Sequence, residues 1–398
     1  MPLRVAVVHS FYSSRQPSGE NAQVHAEVAA LRRAGVDVRL VAARTDDLEG
    51  EPFYRLRSAT RVATGRGRTP RAALDAFRPD LVHVHNLFPN FGRRWVEDVD
   101  VPVVATLHNF RTVCASGDLV RDGHLCTDCP DGRPWSAVRH RCYRGSVAAT
   151  LPLALALWRG PRADPLLARA DRVLCLSPRQ RRMLVDAGLP AERLLDWTNF
   201  LPDALVPPPT PATFDGAGPT ALFVGRLAAE KGGLELVRSW PASTALHVVG
   251  DGPQADEVQA ASAGKDVRVT PQLARDDVLA LMRRSGALVI PSAWPECLPL
   301  VFLEALACGL PVVVRRTCDL AAWVERQGLG TVVDDVADMA EAATALARGD
   351  RRAVAARCRR AFEEHFTEAA WVRRTLDLYS ALTGAAPARP TTGAAAMT

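Results

Sequence analysis

Apolar runs of four to eight residues recur along the chain, and in the stretches between them apolar positions return every three or four residues. The runs at Arg4–His9, Val36–Ala43, Pro79–His85, Val101–Leu107 and Asp171–Ser177 carry little of the polar alternation of a half-exposed strand. They read as strands buried on both faces of a parallel sheet. Asn21–Ala34 has helical periodicity and meets Gly35, a natural stop. After Pro207-Pro-Pro-Thr-Pro211, continuing to Gly218, the alternation restarts with strands at 220–226, 245–249, 287–291 and 311–314. Helices are predicted there at 232–240, 253–262, 275–285, 298–308 and 319–327, with three more near 337–348, 352–364 and 367–383. The pattern therefore predicts an α/β chain of two doubly wound domains, 1–206 and 219–365, joined by a Pro-rich linker at 207–218. A helix follows over 366–384, and the Pro/Ala/Thr/Gly tail at 385–398 is predicted to be disordered. Residues 44–68 are polar and Arg-rich and show few cues for either element.

Composition narrows the class. A chain of 398 residues exceeds one compact core, and 48% hydrophobic with 23% charged residues is ordinary for a globular enzyme. Residues 1–205 carry 29 Lys/Arg against 22 Asp/Glu, a balance of +7, whereas the remainder carries 20 against 22. The arginines are spread over many helices, which describes a solvated surface and excludes a nucleic-acid stripe. Only Lys231 and Lys265 are lysines. Met1 leads straight into an apolar strand, and the longest apolar stretch, Val147–Trp158, is too short to span a bilayer. A cytoplasmic protein follows, with peripheral contact to the inner face of a membrane compatible with that stretch. Nine cysteines in such a compartment do not predict a disulfide framework.

Candidate chemistry is concentrated in a few stretches. Glu296 and Glu304 flank and enter an apolar helix between two buried strands, where a carboxylate is costly unless something hydrogen-bonds to it. That suggests a hydroxyl-rich ligand; capping or flanking of a core helix is the structural alternative. Arg226 and Lys231 project from one strand-to-helix loop, and two cations beside free N–H groups suit a diphosphate. Gly250-Asp251-Gly252 forms a tight turn where a planar base could approach the backbone. In the first half, His108 sits just past the C-terminal end of its strand, the edge where open α/β sheets bind ligands. His83 and His85 alternate onto one face of the preceding strand, and a satisfied core role competes with a functional one. The loop from Ser10 to Gly19 resembles a phosphate-approach loop without a full glycine fingerprint. Finally, Cys114-x11-Cys126-x2-Cys129-x12-Cys142 lies in an irregular insertion at 110–145. Four cysteines match the ligand count of a structural zinc site, with reduced thiols or a redox pair as alternatives.

Taken in order, Gly225-Arg…Glu-Lys-Gly232, Gly250-Asp-Gly-Pro253 and Pro291-Ser-x-x-x-Glu296-x7-Glu304-Ala resemble the donor half of a family 4 glycosyltransferase of GT-B fold. Pro79-Asp-Leu-Val-His-Val-His-Asn86, Thr106-Leu-His-Asn109 and Arg141-Cys-Tyr-Arg-Gly-Ser146 resemble its acceptor half. The likeness spans residues 3 to about 383. It implies two Rossmann-like domains facing a cleft, with the last helix crossing back to the first domain. It also implies retaining transfer of a sugar from a UDP- or GDP-sugar to an acceptor hydroxyl on a glycan, a lipid-linked saccharide or a small molecule. By position, Arg226 and Lys231 would neutralise the diphosphate and Glu304 would hold the ribose. Glu296, with Cys297 and Leu298 after it, would hold the donor sugar. His108 would join Glu296 as a catalytic residue, and Gly19 would meet the phosphates. A positive cradle removes the need for a catalytic cofactor, leaving zinc at Cys114, Cys126, Cys129 and Cys142 purely structural. Ser18-Gly19 replaces a common Gly-Gly pair. Val269–Leu273 lacks the usual aromatic and glycine beside the base, so the nucleotide stays open. The alternatives are a GT-B nucleotide-sugar 2-epimerase and a non-catalytic sugar- or partner-binding protein. Oligomeric state is not legible.

Overall fold

The computed structural model describes residues 2–14, 19–208, 218–292 and 294–384. The chain forms two compact units. The first contains the residues up to Leu119, Cys126–Thr198 and the helix from Glu368; the second contains Val120–Leu125 and Asn199–Thr367. The chain enters the second unit ahead of the Pro-rich stretch, not within it. The reason is local: the Asn199 side chain donates to Leu298 O at 3.2 Å and the Leu201 N–H to Phe366 O at 2.9 Å. Residues 209–217 of the expected linker and the expected disordered tail from 385 lie outside the described residues.

The first unit is built on six parallel strands: β1 (Arg4–Phe11), β2 (Asp37–Arg44), β3 (Leu81–Val84), β4 (Val103–Leu107), β5 (Arg172–Cys175) and β6 (Leu194–Asp196). They lie in the order β2-β1-β3-β4-β5-β6. Every residue of β3 and β4 is buried, which is why those runs show no alternation. The helix α1 (Gly19–Arg33) stops where expected. Gly35 takes a φ of 85°, its N–H bonds Arg32 O, and the Val36 N–H bonds Leu31 O, a Schellman closure. Two departures from expectation follow. A helix, α2 (Tyr54–Thr64), forms inside the Arg-rich stretch at 44–68. Its apolar Leu56 is 65% exposed while Arg61 is buried and donates to Pro89 O at 2.9 Å, so its pattern is the reverse of a core helix. The apolar stretch after the insertion forms α3 (Val147–Leu157), capped by the Ser146 hydroxyl accepting from the Ala149 N–H. α2 and α3 pack on each other.

The second unit repeats the plan with β7 (Ala221–Val224), β8 (Leu246–Val249), β9 (Val267–Thr270), β10 (Ala287–Ile290), β11 (Val312–Arg315) and β12 (Gly330–Val333). Their order is β9-β8-β7-β10-β11-β12, all parallel. β9 and β12 had no counterpart among the predicted strands; both are edge strands whose residues are mostly only half-buried. Two helices matter for the site: α4 (Gly233–Ser239) after β7 and α5 (Leu300–Ala307) after β10. α5 buries Phe302, Leu303, Ala305 and Leu306 and ends in a second Schellman closure at Gly309, with Leu310 N–H on Ala305 O at 2.8 Å. The last helix, α6 (Glu368–Thr383), belongs to the first unit, where Glu368 pairs with Arg33 of α1 at 2.6 Å.

Candidate functional site

In each sheet the strand order reverses beside the first strand. In an open α/β sheet, ligands bind at the carboxyl ends of the strands on either side of such a switch. For the second unit this is where β7 and β10 end. After β7 the chain passes Gly225 and Arg226 and makes a short turn at Ala229–Lys231 before α4. Gly232 sits at φ 70°, and a Cβ there would fall 2.8 Å from Pro291 O. The glycine thus lets the α4 turn press against the end of β10. That contact brings Lys231 Nζ to 2.7 Å from Glu296 Oε2, while the Ser292 hydroxyl donates to Glu296 Oε1. Burial pulls the Lys231 ammonium down, but the Glu296 charge and hydrogen bond outweigh it and leave its pKa raised. Arg226 is half exposed and lies 3.7 Å from Glu230.

The turn after β8 closes on the same edge. The Gly225 N–H bonds Val249 O at 3.0 Å and the Leu227 N–H bonds Asp251 O at 2.8 Å. A Cβ at Gly250 would come 1.9 Å from Gly225 O, so only glycine lets the two loops meet backbone to backbone. Gly252 donates to its neighbour's carboxylate, Asp251 Oδ1, at 2.7 Å. Glu304 lies on α5 with a side chain 13% exposed, 2.9 Å from Arg275 Nη2. Burial raises its pKa and the Arg275 charge opposes the rise. Between the two acids, Leu298 is held at φ 54°, with its carbonyl bonded to Asn199. Cys297 is half-buried beside it. Ser292 was part of the Pro-Ser-x-x-x-Glu motif without a role of its own, and Arg275 had not been singled out. One arginine among many carries no spacing signal.

In the first unit the carboxyl ends of β1, β3 and β4 carry His9, His85 and His108. His85 Nδ1 and His108 Nε2 are 2.9 Å apart, and His85 Nε2 faces Glu27 Oε2 at 3.4 Å. His83 is fully engaged, between the Tyr379 hydroxyl at 2.6 Å and the Thr106 hydroxyl at 2.7 Å. It is a core histidine. His9 Nε2 lies 2.9 Å from Asn21 Oδ1 and its Nδ1 accepts from the Asn86 N–H at 3.4 Å, so His9 carries its proton on Nε2. Burial lowers His9 to about 4 and both His83 and His108 to about 3. Burial also raises Glu20 to about 7 and Glu27 to about 8. The cluster is therefore neutral imidazoles with a protonated Glu27 at neutral pH. His85 Nδ1 and His108 Nε2 share one hydrogen bond, while Glu27 Oε2 faces His85 Nε2 without a hydrogen bond to it.

His85 and His108 line one cavity with Glu20, Asn109 and Arg111, and a second cavity, of about 840 Å3, is lined by α2, α3 and the segment before α3, including Tyr12, Tyr54, Arg55, Ser58, Tyr143 and Arg144. Gly19 is the exposed first residue of α1; residues 15–18 of its loop lie outside the described residues. The four insertion cysteines are in no disulfide. The insertion itself is more regular than expected, with a two-residue-strand hairpin at Val120–Arg121 and His124–Leu125 and a helix at Trp135–Arg139. Among the described residues no helix is long and apolar enough to cross a membrane.

Comparison with known proteins places these features. The model of Glycosyltransferase Family 4 matches residues 17–202, and that of Glycosyl transferases group 1 matches residues 218–348. The chain is 28% identical over 203 residues to exopolysaccharide phosphotransferase SCO2592 of Streptomyces coelicolor, covering 47% of this chain and 21% of that protein. It is 35% identical over 105 residues to lipopolysaccharide glucosyltransferase WaaG of Escherichia coli, covering 25% of this chain and 28% of that protein. The chain thus spans less than a third of the length of these curated relatives. Among solved structures, Anabaena Alr3699/HepE in complex with UDP-glucose has a TM-score of 0.63 at 16% identity, covering 96% of this chain and all of that one. The chain belongs to the family 4 glycosyltransferases of GT-B fold.

Proposed function

We propose that the protein is a retaining glycosyltransferase that moves a hexosyl group from a UDP- or GDP-sugar to an acceptor hydroxyl. The observation that carries this reading is the pairing of Lys231 with Glu296 and of Arg275 with Glu304 along one strand edge of the second unit. One pair lies on the loop before α5 and the other on its body, so they address different parts of one elongated ligand. Glu304 accepts ribose hydroxyls, with the Arg275 charge opposing the rise that burial causes in its pKa. Lys231 and Arg226 neutralise the diphosphate, and Glu296, oriented by Ser292, accepts hydroxyls of the sugar. UDP and UDP-glucose in the Anabaena relative support a donor of this type.

In the reaction the bond from the anomeric carbon to the diphosphate oxygen breaks and a bond to the acceptor oxygen forms on the same face. The acceptor proton leaves with the diphosphate. Charge grows on the diphosphate in the transition state, and cations fixed beforehand stabilise it without reorganisation. No pair of carboxylates flanking the scissile bond is required, in contrast to glycoside hydrolysis. His108 serves as a neutral hydrogen-bonding group beside the transferred sugar, with its Nε2 hydrogen-bonded to His85 Nδ1.

For the acceptor, the first unit's cavity joins tyrosines to Arg55 and Arg144, a lining suited to a saccharide bearing an anionic group. Val147, Leu151, Leu155 and Trp158 form an exposed stripe along α3, and Phe53 and Leu56 are exposed on the partner helix. An apolar stripe beside Arg55 and Arg57 suits an anionic membrane surface and a lipid-linked acceptor. The purified chain incubated with UDP-, GDP- and dTDP-sugars tests the reading: release of nucleoside diphosphate with one donor class supports it. Epimerisation of the sugar without transfer, or turnover of none, contradicts it.

A further inference from the structure

Taking the chain as a glycosyltransferase with its acceptor in the first unit, as above, we propose that the 840 Å3 cavity is a subsite for an anionic sugar unit next to the one that receives the transferred sugar. The acceptor is then an acidic oligosaccharide of two or more units. The chain holds only four tyrosines, and three of them, Tyr12, Tyr54 and Tyr143, line this cavity. The fourth, Tyr379, is fully buried against His83. The three come from separate segments, one just past β1, one at the start of α2 and one ahead of α3. Folding therefore gathers most of the chain's phenols on one surface. A tyrosine presents a flat apolar face to the C–H face of a sugar ring and a hydroxyl to its polar edge.

The charge of the ligand follows from an inventory of donors. Arg144 Nη2 donates to the Tyr12 hydroxyl, and the Tyr12 and Tyr143 hydroxyls lie 3.2 Å apart. One hydrogen bond between two hydroxyls uses one of their two protons, so the other O–H is left for a ligand. The Ser58 hydroxyl accepts from Arg61 Nη1 at 3.4 Å and the Ser146 hydroxyl from the Ala149 N–H at 3.3 Å, which leaves their protons to donate as well. Arg55 adds a second guanidinium from α2, and Glu49 is the single acid among the lining residues. A wall so rich in donors calls for a ligand rich in acceptors, and a carboxylate or phosphate matches a guanidinium as no sugar hydroxyl does. The Arg144 head is also preset. Its backbone is left-handed at φ 55°, with Gly145 at 63°, an unfavourable conformation for arginine that the surrounding packing maintains. Its guanidinium lies 5.4 Å from the centre of the Tyr143 ring, and Arg111 packs over Phe88 at 4.3 Å and Tyr143 at 5.5 Å.

The place of the cavity gives the number of units. Val62, Phe88 and Leu153 line both this cavity and the one at His108, so one layer of side chains divides them. The His108 cavity measures about 90 Å3, room for one edge of a sugar, whereas 840 Å3 is the volume of a pocket that encloses a whole ligand unit. An acceptor hydroxyl at His108 thus leaves the larger cavity to the neighbouring unit of the same saccharide, and that unit carries the charge.

The test uses the full chain without a donor. Methyl glucuronide, glucose 1-phosphate and methyl glucoside are compared by ligand-observed NMR at millimolar concentration. One of the two anionic probes is expected to bind about tenfold tighter than the neutral one, as a charge-assisted hydrogen bond allows, and the tighter of the two tells a carboxylate from a phosphate. Disaccharides in which a glucose is linked to that probe should bind tighter still. Arg144→Gln should weaken the preference for the anion, and adding Arg55→Gln should erase it while methyl glucoside binding stays in place. Gly50→Phe adds a ring on the cavity wall, where a Cβ meets nothing within 4 Å, so this variant should keep its unfolding temperature and bind none of the probes. Equal binding of charged and neutral probes, an anion preference that survives the double variant, binding that survives Gly50→Phe, no gain from any linked glucose, or no binding of any probe would each overturn the proposal. Anion-selective binding by a chain that turns over no nucleotide-sugar would instead fault the transferase reading and leave the subsite standing.

Discussion

Lys231→Met separates what the Lys231–Glu296 pair does for folding from what it does for a donor. The ammonium is 33% exposed and the carboxylate 12%, with 2.7 Å between them. Removing one partner of a fully buried pair costs about 3–5 kcal/mol, whereas exposed pairs contribute about 0–1 kcal/mol. This pair lies between, so the single variant should lose roughly 1–3 kcal/mol, which for a unit of this size lowers its unfolding temperature by roughly 2–12 °C. Most of that loss is the cost of leaving Glu296 without its cation. Adding Glu296→Gln removes that cost, because the amide still accepts from Ser292, and should restore stability to within about 1 kcal/mol of the parent. Turnover should behave differently. Loss of a cation on the departing diphosphate costs about 100- to 1,000-fold, and the second substitution cannot return it. Urea unfolding and release of nucleoside diphosphate, measured on the same three proteins, provide the check. A double variant as unstable as the single one would refute the ion-pair account, and a single variant with unchanged turnover would refute the diphosphate assignment.

Other outcomes follow from the same geometry. Glu304→Ala and Arg275→Ala should raise the donor KM with little change in kcat, because ribose contacts persist from ground state to transition state; loss of turnover at saturating donor would undo that division. First-unit stability should peak near pH 6.5. Below it, His9, His83 and His108, with folded values near 3–4 against 6.5 unfolded, lose their contribution as pH falls. Above it, Glu20 and Glu27, raised to about 7 and 8, lose theirs as pH rises, so Glu27→Gln should flatten the alkaline side of the profile. Leu151→Glu with Leu155→Glu should reduce sedimentation with anionic vesicles about tenfold or more, since each partly exposed leucine offers roughly 1 kcal/mol of further burial.

Much of the second unit was legible because its signals are local. Gly225 to Gly232 and Ser292 to Glu304 are short stretches in which strand end, turn and helix start are set by neighbouring residues. Lys231 stood out as one of two lysines, and its partner proved to be Glu296 across the switch between β7 and β10. Arg275 was not legible, because only folding brings it against Glu304. The same holds for His83, whose hydroxyl partner Tyr379 lies 296 residues away on the last helix. α2 was missed for another reason. Its Arg61 points inward to a carbonyl while Leu56 points outward, so its apolar positions do not mark the face that packs. Glu27 was hidden by the opposite effect: on a polar helix nothing marks one acid as the buried one, and only its facing His85 reveals it.

The central claim is that the second unit holds a nucleotide-sugar and that transfer retains configuration. Its most direct test is proton NMR of the first-formed product from a turned-over UDP- or GDP-sugar, recorded before mutarotation, for wild type and Glu296→Gln. The account predicts nucleoside diphosphate release by the wild type, an anomer matching that of the donor, and a collapse of the rate in the variant. An inverted anomer, or equal rates for the two proteins, would contradict it.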